Sequence, residues 1–266
     1  MRNILGFAGV AMVAALAVTP AAAIKKLPYT EVKVDLADVH QPDAAFKAMR
    51  KAFGDAVTKK DGAALFALIG PTFVWTSGGG ATEQFDMGRD ALHNFKVLFG
   101  FRAAGKNEDG GVDGGPFWDA LASFAPDSLG FYDAPDAGNL VCSPMLAGPT
   151  DEKLQQAAEK KLGTEDDPVE WNVVITDANV AKAPGDTGPP VAKISKIAVP
   201  VLANHPPSPE NGPAVTPTHV EILLPSGKTG WIPAASAVPL FSDRLCFSKT
   251  ASGDWKISAF DQDPSE

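Results

Sequence analysis

Cysteine is nearly absent from this chain of 266 residues: Cys142 and Cys246 are the whole supply, which excludes a multi-cysteine zinc site and a disulfide-dense scaffold. Histidine is scarce too, with His40, His93, His205 and His219 widely separated and no His-Glu-x-x-His pair. The sequence contains no G-x-x-x-x-G-K-[ST] phosphate loop, no G-x-G-x-x-G fingerprint and no G-x-S-x-G nucleophile elbow. A basic surplus is lacking as well. The 32 acidic residues outweigh the 23 basic ones, giving a formal net charge of −9. With no Lys/Arg stripe, nucleic acid is excluded as an expected partner, because its phosphates would repel the chain. Beyond the first residues no apolar run approaches the roughly 18 needed to cross a membrane.

What is present fits a folded globular chain, 45% hydrophobic and 21% charged, long enough for one large or two modest domains. The 25 Gly and 23 Pro are abundant, so many turns and short strands are expected rather than a helical bundle.

Residues 1–23 read as a secretory signal peptide. Met1-Arg2-Asn3 is a short basic start, Ile4 to Val18 is uncharged and rich in Ala, Val and Leu, and Pro20 precedes the small Ala21-Ala22-Ala23. The competing reading is a retained membrane anchor, since Ile4 to Ile24 is long enough to span. Lys25-Lys26 would then lie on the translocated side, against the usual positive bias. Cleavage predicts a periplasmic or secreted protein with no membrane span. In that oxidising compartment Cys142 and Cys246 are disulfide candidates; the alternative is two separate buried thiols.

The pattern of the mature chain is α+β. Residues 24–163 form an α-rich N-terminal domain that opens with an extended stretch, Leu27 to Leu36. Phe46, Met49, Phe53 and Val57 recur at helical spacing, with Lys47, Arg50 and Lys51 assigned to the opposite face. Asp61 caps a second helix from Ala63 to Ile69, ended by Gly70 and Pro71, and Phe73 to Thr76 is a brief strand. Further helices are expected over Arg89 to Phe99 and Phe117 to Phe124. Another starts at a Thr150 cap and ends at Gly163, its charges matching the helix dipole. After Pro168 the pattern changes to short β runs at Trp171 to Ile175, Val191 to Ile194, Ile197 to Leu202, Val220 to Leu224 and Gly230 to Pro233. Such runs between Pro/Gly turns predict a small barrel over 168–240. Residues 241–266 hold a hairpin, with Leu245 and Phe247 alternating against Trp255, Ile257 and Ala259 about Ser252-Gly253, expected to pack back on the N-terminal part.

Two motifs in the β-rich stretch resemble a known family. Asn179-Val180-Ala181-Lys182-Ala183-Pro184-Gly185-Asp186-Thr187, followed by Val191-Ala192-Lys193-Ile194, is similar to the N-V-R-x-x-P loop and next strand of exported bacterial SH3-like (SH3b) domains. Gly227-Lys228-Thr229-Gly230-Trp231-Ile232 resembles their closing G-x-x-G-W-V hairpin. The likeness covers about 70 of the 266 residues; Ala181 stands in place of the common Arg, and Asn204 to Thr218 is a long proline-rich insertion. It implies a non-catalytic module that binds a cell-wall component or an envelope protein, with Trp231 and Lys228 as candidate groove residues. A fainter resemblance, to SnoaL-like cystatin-type α+β cones, is carried by Ala44 to Phe53, Asp61-Gly62 to Phe66, Phe73-Val74-Trp75, Gly88-Arg89-Asp90-Ala91 and Gly253 to Phe260. That family implies a pocket for small-molecule binding or acid/base chemistry.

No other constellation predicts chemistry. Cys142 lies in Leu-Val-Cys-Ser-Pro, without the Asp-Cys-Ser-Gly context of NlpC-type peptidases. His219 and Glu221 share one face of a strand but show no third metal ligand, so they read as solvent-facing. The Asp109 to Gly114 loop counted as an EF-hand has Gly111 at its third position and Ala120 at its twelfth, which removes two ligands. Glu165-Asp166-Asp167 reads as a solvated linker, and Pro206, Pro207 and Pro209 as a stiff loop. No metal, cofactor or catalytic residue is predicted.

Overall fold

The computed structural model describes residues 24–76, 90–99, 115–134, 139–164, 171–207, 217–240 and 242–262. Residues 1–23, the Asp109 to Gly114 loop, the Glu165-Asp166-Asp167 linker and Pro209 lie outside these residues.

Helix α1 spans Ala44–Lys59; Asp43 caps it, accepting the Phe46 N–H at 2.6 Å. The predicted stripe of Phe46, Met49, Phe53 and Val57 is buried, and Arg50 is buried with it rather than lying on the solvent face as its sequence position suggested. Helix α2, Gly62–Phe66, is capped by Asp61 but stops short of Ile69. Ile69 instead starts strand β2, Ile69–Thr76, because Pro71 disfavours helix in the residue before it and is tolerated on a sheet edge. Helix α3, Ala91–Leu98, starts at an Asp90 cap, and helix α4 spans Gly115–Ser123.

These helices cover one face of a five-stranded sheet. Its remaining strands are β3 (Tyr132–Ala134), β4 (Leu140–Ser143), β13 (Arg244–Lys249) and β14 (Trp255–Asp261), in the order β2-β14-β13-β4-β3. The β13–β14 hairpin therefore packs on the N-terminal part, with β2 parallel to β14 and β4 antiparallel to β13. The two-residue period sends Leu245 and Phe247 to the helices and Cys246 to the opposite face.

A second sheet combines β1 (Val32–Leu36), β5 (Ala147–Pro149), β6 (Trp171–Val174), β9 (Ile197–His205), β10 (His219–Leu223), β11 (Thr229–Pro233) and β12 (Ala237–Pro239). β9 is its organiser: Ala198 pairs with Val32 of β1 and with Val173 of β6, while residues further along β9 pair with β10. The N-terminal extended stretch thus adds to strands drawn from the β-rich run. A separate hairpin of β7 (Ala178–Val180) and β8 (Ala192–Ile194) is tied to β11 by the Ala181–Trp231 bridge. No sheet among the described residues closes as a barrel.

Three cores fill the spaces between these layers. Phenylalanines dominate the one between the helices and the five-stranded sheet. Tyr132, Cys142, Cys246 and Ala259, on that sheet's second face, meet Val32, Val173, Ala198 and Leu223 of the other sheet. Val174, Val199, Ile222 and Ile232 build the third core on the far face. Helix α5, Glu152–Leu162, buries Ala158 and Leu162 in the middle core. Its cap is Asp151, not the expected Thr150, whose N–H and hydroxyl both go to the Lys33 carbonyl; Gly163 ends the helix in the left-handed conformation.

Candidate functional site

Cys142 and Cys246 form a disulfide, paired residue to residue between β4 and β13 with Cα atoms 4.0 Å apart. Both are buried, and every strand of the second sheet except β1 lies between them in sequence. The bridge ties together the points where the chain leaves the first sheet and where it rejoins it.

Trp231 sits mid-strand in β11, half-buried, opposite Glu221 of β10. Its ring meets His205 edge-on at 6.0 Å, and its backbone N–H and carbonyl both bond to Ala181. Lys228 is exposed in the turn before β11. Gly227 in the same turn has φ +79°, and a Cβ there would come within 2.9 Å of the Pro28 nitrogen, so glycine is required for the turn to dock on the N-terminal segment. His219 and Glu221 do share the outer face of β10, as the two-residue period predicts, and His205 lies directly across from His219. His93 is exposed on α3. Beside these strands the β7–β8 hairpin carries an open cleft of about 410 Å³ edged by Asp177, Asn179, Lys193 and Ser195.

The helix-covered half holds a different kind of hollow. A cavity of about 360 Å³ opens between α3, α4, β2 and β14, walled by Trp75, Leu98, Phe99, Phe124 and Phe260, with Asp243 and Gln262 at its margin. Its walls suit an apolar ring system, with few polar groups to orient one.

Two polar residues of this half have roles that residue spacing did not reveal. Arg50 places its guanidinium 5.0 to 5.2 Å from the ring centroids of Phe53, Phe131 and Phe247 and donates to the carbonyls of Phe124 and Ala125 and to Asp127. Burial pulls its pKa down and Asp127 pushes back. His40 binds Asp133 through Nδ1 at 2.8 Å, its ring edge-on to Phe46 and Trp255, while its Nε2 is buried without a partner. Nearby, Asp43 accepts from Lys249 and Trp255 besides its own helix, fastening α1 to the C-terminal hairpin. The Lys249 hydrogen bond and the Phe46 N–H hold its carboxyl down at about 2. An arginine or histidine held partly by aromatics from distant segments has no local signature.

Among the described residues no group of three or more His, Cys, Asp or Glu is arranged to hold a metal ion, and no helix is long and apolar enough to cross a membrane. No family model, curated protein or solved structure matches the chain.

Proposed function

We propose that this is an exported, non-enzymatic envelope protein in which an SH3-like module binds a cell-wall component or a protein partner. The observation that carries this reading is a core drawn from one continuous part of the β-rich run. The third core draws all its buried residues from 174–237, around short antiparallel strands that lie between and include the two SH3b-like motifs. Trp231 and the polar cleft of the β7–β8 hairpin present side chains outward from that core. The disulfide agrees with an oxidising compartment, periplasmic or outside the cell. Loss of Arg2 and no acid with residues 1–23 makes the mature chain one unit more negative than the whole, so a neutral or cationic partner is favoured over an anionic polymer. The test is retention of mature protein on isolated peptidoglycan beside capture from an envelope extract. Retention that Trp231→Ala and Lys228→Ala reduce supports the module. Absence from both fractions removes it.

A second reading is favoured by the aromatic cavity: the helix-covered sheet as a SnoaL-like cone that holds a small apolar molecule. Thermal unfolding with a panel of small ring compounds tests it. A rise in Tm that Leu98→Trp abolishes is the expected outcome, and no shift with any compound counts against it.

A further inference from the structure

The outer face of β9, β10 and β11 gathers His205, His219, Glu221 and Trp231. His205 and His219 are directly opposite one another in the β9–β10 ladder. Side chains so placed have Cβ atoms roughly 4.5–5.5 Å apart, a separation from which two imidazoles can converge on one ion. Thr218 is placed to orient one ring. Its hydroxyl donates to the His205 carbonyl at 3.1 Å, and the same oxygen lies 3.1 Å from His219 Nδ1. A hydroxyl that donates to that carbonyl can accept from His219 Nδ1–H, and in that tautomer His219 Nε2 is free to bind an ion. Metal-binding histidines are oriented by this kind of bond to the other ring nitrogen. No hydrogen bond within the described residues engages the His205 ring, which stands free beside Trp231.

We propose that His205 and His219 form a two-histidine site for a first-row divalent cation, with water completing its coordination. Imidazole nitrogen selects borderline metals, and the stability order places Cu²⁺ above Zn²⁺. Glu221, on the same face, adds negative charge near the ion, and the net charge of −9 favours any cation at the surface. This site shares the face that carries Trp231 but needs neither a wall ligand nor a cavity ligand.

The experiment is titration of the mature protein with Cu²⁺ at neutral pH, followed by tryptophan fluorescence and by equilibrium dialysis. One equivalent should bind and quench Trp231, which touches His205; Trp231→Phe should remove that quenching while leaving dialysis unchanged. His205→Ala and His219→Ala should each weaken binding by about tenfold or more, and Thr218→Val by about tenfold, the cost of losing an orienting partner. These positions lie on an open sheet face, and an unchanged circular dichroism spectrum establishes that each variant folds. A double His205→Ala/His219→Ala variant that binds Cu²⁺ within twofold of the parent overturns the site, as does a parent that binds no stoichiometric Cu²⁺.

Discussion

The two outer cores of this molecule are made of different materials and by different routes. The helix-covered core is built of phenylalanine rings meeting edge to face, and its residues come from 46–141 and again from 245–260. The core of the β module is Val, Ile, Leu and Ala, without an aromatic among its buried members, and comes from one continuous run. Large rings bring much buried area and tolerate assembly from distant pieces, whereas β-branched residues fit the pleated surface of neighbouring strands. The difference teaches that the β module is an excursion of the chain between two visits to the first sheet, and that the middle core couples the two.

The harshest way to break the comparison is to cut the disulfide across β4 and β13, where the chain leaves the first sheet and rejoins it. Joining residues 104 apart, the disulfide contributes up to about 4–5 kcal/mol in the chain-entropy account. Denaturant unfolding of Cys142→Ala/Cys246→Ala should show a loss of that order, and thiol titration of the unfolded, unreduced parent should find no free cysteine. Next come the cores themselves. Phe247→Ala should cost about 3–5 kcal/mol and Ile222→Ala about 2–5 kcal/mol. Because the middle core joins the sheets, near- and far-ultraviolet circular dichroism should report one transition in both variants. Separate transitions would show two independent units. Arg50→Met probes the aromatic half alone: it leaves two carbonyls without their charged donor and should cost about 3 kcal/mol by equilibrium unfolding. The smallest effect is one that acid removes. Asp43, held at about 2 in the fold against 3.8 ordinarily, contributes stability that is complete above about pH 5 and is lost as pH falls through 2. In Asp43→Asn the acid limb of a stability–pH curve should flatten between those values, with the variant less stable than the parent at pH 7 and the difference closing as pH falls towards 2.

Much of the helical half was legible because its signals are local. The Phe46, Met49, Phe53, Val57 stripe, the Asp61 cap and the Gly163 terminus each act within one or two turns. The β runs and the Ser252-Gly253 hairpin were readable for the same reason, and Gly253 does take φ +89°. What escaped depends on partners far along the chain. β3 and β5 are three-residue strands that exist only by pairing with β4 and β1, and β7 and β12 only by pairing with β8 and β6. Helical spacing put Arg50 outside; it is held inside by rings and carbonyls from residues 53, 124, 125, 131 and 247. The opposition of His205 and His219 depends on the register across a proline-rich connection, which no single strand encodes.

The pairing of β1 also has a consequence in time. Val32 is made early, yet its partner Ala198 lies across the sheet on a strand synthesised much later, and Tyr29 waits for Leu223 and Pro225. β1 therefore has no strand neighbour until β5 at 147–149 is made, and lacks its β9 partner until later still. Under the export proposed above, that delay would keep β1 threadable until its partner strands had been delivered to the same side.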